Sequence, residues 1–256
     1  MNSASPSLSV VLLTKNSQDT VERALRSVVW ADEIVVVDDE STDGTLDICR
    51  RYTDRIFIRK LESFAAQRNF GREQARGEWL LSLDPDEEVS PELREEIERV
   101  IHSATPYVAF YVPFRQRIFG KWIRYGGWTM WDAKRLFRRD AGVWVNKVHE
   151  VVRVEGPVGR LQHPILHYSH ESIGEFIAKL NWYTDWEAEE RFRAGDRPGW
   201  LRLLLVPVRD FWRRYIVQQG FRDGVHGLVL ALLMAFYVFT VRAKVWERAW
   251  GEEHGL

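Results

Sequence analysis

Asp84-Pro85-Asp86 stands directly behind an apolar run, Trp79–Leu83, and sets two carboxylates two residues apart in extended backbone. Such a pair can address one hard cation, or divide between a cation and a ribose. A divalent ion held there would neutralise a diphosphate leaving group as a Lewis acid. The same Asp-Pro-Asp-Glu-Glu string also suits a solvated turn ahead of a capped helix. A second acidic group, Asp38-Asp39 with Ser41-Thr42-Asp43-Gly44, closes the apolar run Glu33–Asp38. It fits an Asx-type turn entering a helix N-terminus, where acids and hydroxyls are favoured. An acid at a strand end equally accepts hydrogen bonds from a nucleotide base or ribose. A third polar stretch, Thr14-Lys15-Asn16, follows the run LSVVLL.

These loops need elements to carry them. Residues 8–13 are β-rich and continuously apolar, as a buried parallel strand requires. Val21, Ala24, Leu25 and Val28 share one helical face over 19–29. Strands follow at 33–38, 55–59 and 79–83, and helices near 45–52 and 63–76. Ser90 as N-cap and Pro91 at the first helical position open a helix to about residue 103. This alternation predicts βαβ units and a parallel sheet covered by helices. Ligands bind such sheets beyond the carboxyl ends of the strands, so the three polar loops are expected to converge on one edge. From 107 to 170 the pattern is mixed, with short β-like runs at 109–112, 135–137 and 151–154. A helix is expected from Ile173 towards Arg193, and Gly195-Asp196-Arg197-Pro198-Gly199 reads as a break.

The chain of 256 residues is 45% hydrophobic and 29% charged, long enough to bury a core. Its formal charge of −1 argues against a nucleic-acid binder that works by neutralising phosphates. A lone Cys49 excludes an internal disulfide and a cysteine-built zinc site. The neutral total hides a basic stretch: six arginines lie between Arg197 and Arg222 against the single acid Asp210. Leu201, Leu204, Phe211, Trp212 and Tyr215 are interleaved with them, the pattern of an interfacial segment facing anionic headgroups. Residues 224–241 then carry no formal charge over 18 residues, the short end of what spans a bilayer. Basic residues flank the run on both sides, so charge asymmetry sets no spanning orientation. Monotopic attachment is expected, with a spanning helix and a protein-buried helix as alternatives. The first six residues carry no basic side chain and the following apolar run is too short for a signal-peptide core, so a cytoplasmic, peripheral protein is expected. Ten of the twelve tryptophans follow residue 120, and Trp122, Trp128 and Trp131 fit either an acceptor groove or a core.

The strings VVLLTKN, EIVVVDDESTDGT and AAQRNFGREQARGEWLLSLDPDE, over roughly residues 8–100, resemble the nucleotide-sugar domain of family 2 glycosyltransferases. The shared pattern is Thr-x-Asn at a strand end, Asp-Asp-x-Ser-x-Asp-Gly-Thr, Arg-Asn-x-Gly within a helix, and Gly-Glu-Trp-x-x-x-x-Asp-x-Asp. Later strings are similar to the branch containing lipopolysaccharide inner-core β-glucosyltransferases: KRLFRR at 134–139, Val148-His149-Glu150, Gly159-Arg160-Leu161, Leu166-His167-Tyr168, and Gly220-Phe221-Arg222-Asp223-Gly224.

The resemblance implies an α/β, Rossmann-like GT-A domain with a C-terminal helical, membrane-associating appendage. Residues 1–115 would form its nucleotide-sugar half, 116–194 its acceptor and catalytic half, and 195–256 the appendage. It implies nucleotide contacts from Thr14, Asn16 and Asp39, with Asp38 alongside and Arg68 near the diphosphate or base. Asp84 and Asp86 become the Asp-x-Asp pair, Asp86 nearer the metal and Asp84 shared with the nucleotide. Lys15 departs from relatives that stack a tyrosine on uracil. His167 is either a further metal or diphosphate contact or a structural histidine; His149, His163 and His170 are weaker candidates. Inverting sugar transfer needs one base for the attacking hydroxyl. Glu150 is the candidate and Asp132 the reserve. Arg135 and Lys134 either offset diphosphate charge or form a solvated basic strand, and Trp128 and Trp131 would line the acceptor groove.

The expectation is therefore an inverting, Mg²⁺- or Mn²⁺-dependent enzyme moving a hexose, glucose from UDP-glucose, onto a membrane-anchored glycolipid such as the lipopolysaccharide inner core. A homo-oligomer is compatible with this, and no nucleic-acid partner is expected. The alternatives are another lipid-linked or exopolysaccharide acceptor, nucleotidyl transfer, and a non-catalytic sugar-nucleotide-binding scaffold at the membrane.

Overall fold

The computed structural model describes residues 7–128, 132–146 and 150–255, which fall into two compact units. The first comprises Met1–Phe114 and Trp131–His167, the second Arg115–Met130 and Tyr168–Leu256. The segment 116–194 is thus shared between them: its β-rich middle pairs with the first unit's sheet, and its helix belongs to the second.

In the first unit, β1 (Leu8–Thr14), β2 (Glu33–Asp38), β3 (Ile56–Ile58) and β4 (Trp79–Leu83) run parallel in the order β3-β2-β1-β4. Every residue of β1 and β4 is buried, so these strands show the unbroken apolar runs of a sheet covered on both faces. The crossovers are α1 (Val21–Arg26), α2 (Thr45–Cys49) and α3 (Phe64–Gln74), and α4 (Pro91–Ile101) follows β4. Ser90 caps α4 by accepting from the Leu93 N–H. α2 stops short of its apolar pattern because the Thr53 hydroxyl donates to the Ile34 carbonyl and accepts from the Arg55 N–H, replacing helical bonds with a turn.

Beyond β4 the sheet becomes mixed, in the stretch where the sequence showed only short β-like runs and set no pairing. β8 (Asp132–Arg138) lies antiparallel to both β4 and β6 (Ala109–Ile118). Among the described residues no helix lies between β6 and β8, and a parallel pair needs such a crossover. β5 (Glu87–Val89), inside a stretch expected to be wholly loop, pairs antiparallel with β12 (Ile165–His170). β9 (Gly142–Val145) and β10 (Val151–Val154) form a separate hairpin, with β11 (Val158–Arg160) beside β6.

The second unit takes the end of β6, β7 (Lys121–Trp122), α5 (Ile173–Arg193), α6 (Trp200–Trp212), a π turn at Arg213–Val217, a 3₁₀ turn at Gly220–Asp223, and α7 (Val225–His254). Its core joins Ile118, Ile123, Phe176, Leu180 and Leu230. The Gly220–Gly224 string is structural here. Asp223 accepts from the N–H groups of Arg124 and Tyr125 at 3.0 and 2.9 Å, and a Cβ on Gly227 would stand 1.8 Å from the Gly220 carbonyl oxygen. α7 runs for 30 residues, well past the uncharged stretch that suggested it. The charged residues after Val241 are helix formers, and two of them, Lys244 and Arg248, reach α5. The Lys244 ammonium donates to Asn181 and Thr184 and pairs with Asp185 at 2.7 Å, and Arg248 pairs with Glu189.

Candidate active site

Because β2, β1 and β4 are parallel neighbours, with Thr14 opposite Asp38 and Leu12 opposite Leu83, their three polar loops leave the same edge of the sheet. The first two loops brace each other. The Thr14 hydroxyl donates to Asp38 Oδ2 at 2.7 Å, and Ser41 donates to both Asp38 oxygens from its N–H and hydroxyl. Asp38 is fully buried. Asn16 accepts from the Thr42 N–H through Oδ1, while its own N–H donates to Ser41 Oγ. Asp39 accepts from the Leu61 N–H and pairs with Lys15 at 3.3 Å, its side chain one-fifth exposed. Of the four nucleotide contacts expected from these two loops, Asn16 and Asp39 therefore reach the surface, whereas Thr14 and Asp38 are bonded beneath it.

The third loop meets α3 and β8. Arg68 reaches three partners: its Nη1 donates to Ser82 at 2.7 Å, Nη2 to Asp84 at 2.8 Å, and Nε to Glu150 at 3.1 Å, over the face of Trp144. The rest of the Arg68-Asn69-Phe70-Gly71 string makes this reach possible. Asn69 brackets Trp144 with two backbone hydrogen bonds, and a Cβ on Gly71 would lie 2.5 Å from Val11 Cγ1. Arg135 Nη2 donates to the other Asp84 oxygen at 2.9 Å and to Glu87 at 2.8 Å. Its Nε and Nη1 are buried and, among the described residues, without a hydrogen-bond partner. His167 sits opposite Glu87 across the β5–β12 pair, its Nε2 3.3 Å from Asp86 Oδ2.

Burial opposes ionisation of Asp84, but Arg68 and Arg135 outweigh it and hold its carboxyl well below the usual range. Burial pushes Glu87 up to about 7, with Asp84 and Asp86 adding to the shift against Arg135 and His167. Burial also disfavours the His167 imidazolium, yet Asp86, Glu87 and Asp84 raise its pKa above the ordinary value. This edge of the sheet is thus a compact set of opposite charges.

Asp86 and His167 present an oxygen and a nitrogen 3.3 Å apart. Two adjacent ligands of one divalent cation, each at about 2.0–2.2 Å, stand roughly 3 Å apart. The pair therefore fits a cation. Asp84 fits less well, since each of its oxygens already accepts from an arginine. Among the described residues no three metal-binding side chains converge, so further ligands would come from a bound diphosphate and water.

The remaining candidates lie elsewhere. Asp132 pairs with Arg160 at 2.6 Å, His163 with Glu96, and Lys134 lies over Tyr111. His170 packs on Phe176, and Trp128 is half-buried against the second unit's core beneath Arg214. Trp131 and His149 lie outside the described residues. Two members of the cluster, Ser82 and Glu87, were not singled out in the sequence. Glu87 had one available signal, the inward alternation Glu87/Val89 ahead of the Ser90 cap.

A family model, glycosyl transferase family 2, matches residues 9–152, which hold the whole charged cluster except His167. The chain belongs to glycosyl transferase family 2. Within that family it is similar to the lipopolysaccharide core biosynthesis glycosyltransferase LpsC of Rhizobium meliloti (strain 1021), 29% identical over 254 residues, covering 94% of this chain and 92% of that protein. An uncharacterized glycosyltransferase of Rickettsia bellii (strain RML369-C) is 27% identical over 261 residues, covering 94% and 86%. Among solved structures, residues 1–349 of S. aureus TarS match at 16% identity with a TM-score of 0.47, covering 98% of this chain and 92% of that one. The family 2 match and the mixed, Rossmann-like sheet make this a GT-A domain, with α6 and α7 as a helical appendage.

Proposed function

We propose that this family 2 glycosyltransferase moves a hexose, glucose from UDP-glucose, with inversion, onto a membrane-anchored glycolipid of the lipopolysaccharide inner-core type. The observation that carries the chemistry is the convergence of Asp86, His167, Asp84, Arg68, Arg135 and Glu150 beyond the carboxyl ends of β1, β2 and β4. Likeness to LpsC over the full chain supports the acceptor class. Asp86 and His167 would hold Mg²⁺ or Mn²⁺, which when bound neutralises charge on the departing nucleoside diphosphate. Arg135 brings a buried guanidinium with unpartnered nitrogens to the same edge, suited to the diphosphate oxygens. Asn16 and Asp39 seat the nucleotide, with Thr14 and Asp38 shaping the loop beneath them, and Asp84 fixes both arginines.

Glu150 is the base. Arg68 grips its Oε1, and among the described residues Oε2 has no partner, leaving that oxygen to take the proton of the attacking hydroxyl. Arg68 thereby orients the base while keeping its charge within reach of the donor.

We infer attachment to the cytoplasmic face of the membrane, and the exposed apolar and basic surface of the second unit supports binding to anionic lipid. α6 leaves Trp200, Leu204, Leu205, Val208 and Trp212 exposed beside Arg202, Arg209 and Arg213. On α7, Val225, Leu232, Phe239 and Trp246 recur every seven residues on the surface, joined by Phe236 and Trp250. α7 is long and apolar enough to cross a bilayer, but its second half is tied to the charged α5 by Lys244 and Arg248. Tyr237, inside the uncharged run, also donates to Glu187 of α5; a spanning orientation would carry that charge into lipid at several kcal/mol, which favours α7 lying in the interface.

The test is a donor panel with Mg²⁺ or Mn²⁺ and purified membrane glycolipid, read as nucleoside diphosphate release. UDP-glucose should be consumed, and Asp86→Ala and Glu150→Gln should each lose at least about a hundredfold. Parent-like rates in both variants would remove the reading. Flotation with vesicles should require anionic lipid and should fail for a Trp200→Ser/Trp212→Ser variant; a soluble dimer that ignores vesicles would refute attachment.

A further inference from the structure

We propose that the β6–β7 hairpin of the second unit carries a subsite for an anionic saccharide, one sugar ring bearing a carboxylate or phosphate. β6 and β7 are joined by Phe119-Gly120, at φ 50° and 78°. Tight hairpins favour this left-handed geometry, but a bulky residue seldom adopts it. Phe119 is held from three sides: its N–H donates to the His170 carbonyl at 2.9 Å, its carbonyl accepts from His226 at 3.2 Å, and its ring packs edge-on against Phe176. Such strain persists where the surroundings over-determine it, and it clusters at ligand sites. Beside the turn lies a cavity of about 260 Å³ lined by Arg117, Phe119, Gly120, Tyr168, His170 and Glu171. A Cβ added at Gly120 would meet nothing within 4 Å, so the cavity is open on that side.

Arg117 and Tyr168 in the cavity wall belong to a ladder of cations and rings that continues along the hairpin beyond it. Arg115 lies over Trp122 at 4.9 Å, Trp122 meets Tyr168 edge-on at 5.5 Å, and Arg117 lies over Tyr168 at 5.6 Å. Among the described residues, neither Arg115 nor Arg117 makes an ion pair or a hydrogen bond; Arg191, Arg193 and Arg214 of the same unit all pair with acids. Two guanidiniums are thus held in place by aromatic faces with their donor forks unused. A planar fork matches carboxylate or phosphate, and a neighbouring ring offers a flat apolar face to a sugar's C–H groups. The volume falls just below the ~300–1,000 Å³ range of ligand pockets, which suits a single ring. The proposal rests on the reading that the acceptor is a glycan, and it specifies that the recognised part is anionic.

The test is ligand-observed NMR titration of the full chain with glucuronate, glucose 6-phosphate, glucose and inorganic phosphate. Glucuronate or glucose 6-phosphate should bind, with glucose and inorganic phosphate each at least about tenfold weaker, because ring and anion are both required. Arg115→Gln/Arg117→Gln should weaken binding about tenfold or more. Its thermal midpoint and its slow hydrolysis of donor without acceptor should stay at the parent's values. Equal binding of glucose, equal binding of inorganic phosphate, no binding, or an unaffected double variant would each overturn the subsite. Absent donor turnover with saccharide binding intact would instead sink the transfer reaction and leave the subsite standing.

Discussion

Gly71→Ala asks whether the contact between α3 and β1 sets the position of Arg68. The new Cβ would stand 2.5 Å from Val11 Cγ1 and 3.2 Å from Val37 Cγ2, both in the buried sheet. Ordinary carbon–carbon contact is about 3.5–4.0 Å, so the helix must retreat by roughly 1 Å or the valines must rotate. Alanine gains up to about 1 kcal/mol of helix propensity over glycine, and overpacking costs about 1–3 kcal/mol. The net loss is therefore about 0–2 kcal/mol, a fall of a few degrees in thermal midpoint for a chain of this size. Activity should suffer far more. Arg68, three residues earlier on α3, holds Ser82, Asp84 and Glu150 at 2.7–3.1 Å. A displacement near 1 Å at such a site can cost about a hundredfold in rate. The assay is nucleoside diphosphate release alongside a thermal melt, with Val11→Ala as the relieving partner because it removes the clashing methyl. The double variant should recover most of the rate, with a coupling energy of about 0.5–3 kcal/mol in the cycle. A parent-like rate in Gly71→Ala, or no recovery with Val11→Ala, would refute the idea that close packing here positions the arginine.

Three further outcomes are expected. Lys244→Met removes three hydrogen bonds and an ion pair between α7 and α5, costing about 1–3 kcal/mol in a melt while donor hydrolysis without acceptor is unchanged. Burial opposes ionisation of Glu96, but the Gln162 and His163 N–H groups hold its pKa below the usual value. Its stabilisation is therefore present above about pH 4.3 and is lost as the pH falls through the lower folded value, so Glu96→Gln should lag the parent at neutral pH and converge with it in acid on urea unfolding. Asn69→Leu strips both hydrogen bonds from the Trp144 backbone, leaving that N–H and C=O unpaired, and should lower the melting point at about 1–3 kcal/mol while weakening donor turnover.

The parallel half of the sheet was legible because burial on both faces leaves an apolar string that few other elements resemble: LSVVLL, EIVVVD and WLLSL all became strands. The antiparallel half was not. Neither the pairing of β8 with β4 nor that of β5 with β12 lies in local periodicity, since each partner stands more than fifty residues away. Asp84, Asp86, Arg68 and Glu150 were chosen on type and order, and they meet in space. The sequence could not show who holds whom. Asp38 and Thr14 are residues of the right kind for a nucleotide, yet their polar atoms are spent on each other, which residue type alone does not distinguish. Ser82 carried no signal at all, a lone hydroxyl in an apolar strand whose partner is a guanidinium from α3.

The brace between the first two loops has a thermodynamic consequence. Asn16 and Glu40 stand at φ 44° and 52°, conformations that cost about 1–3 kcal/mol each for residues other than glycine. They are kept there by the Asn16–Thr42, Asn16–Ser41 and Asp38–Ser41 hydrogen bonds, all between groups of the protein itself. The entropy lost in fixing a loop backbone, about 1–2 kcal/mol per residue, is therefore spent when the chain folds and not when a substrate arrives. Whatever nucleotide enters this edge meets a rigid surface, so its affinity should report contact chemistry alone, with little of it consumed in ordering the protein.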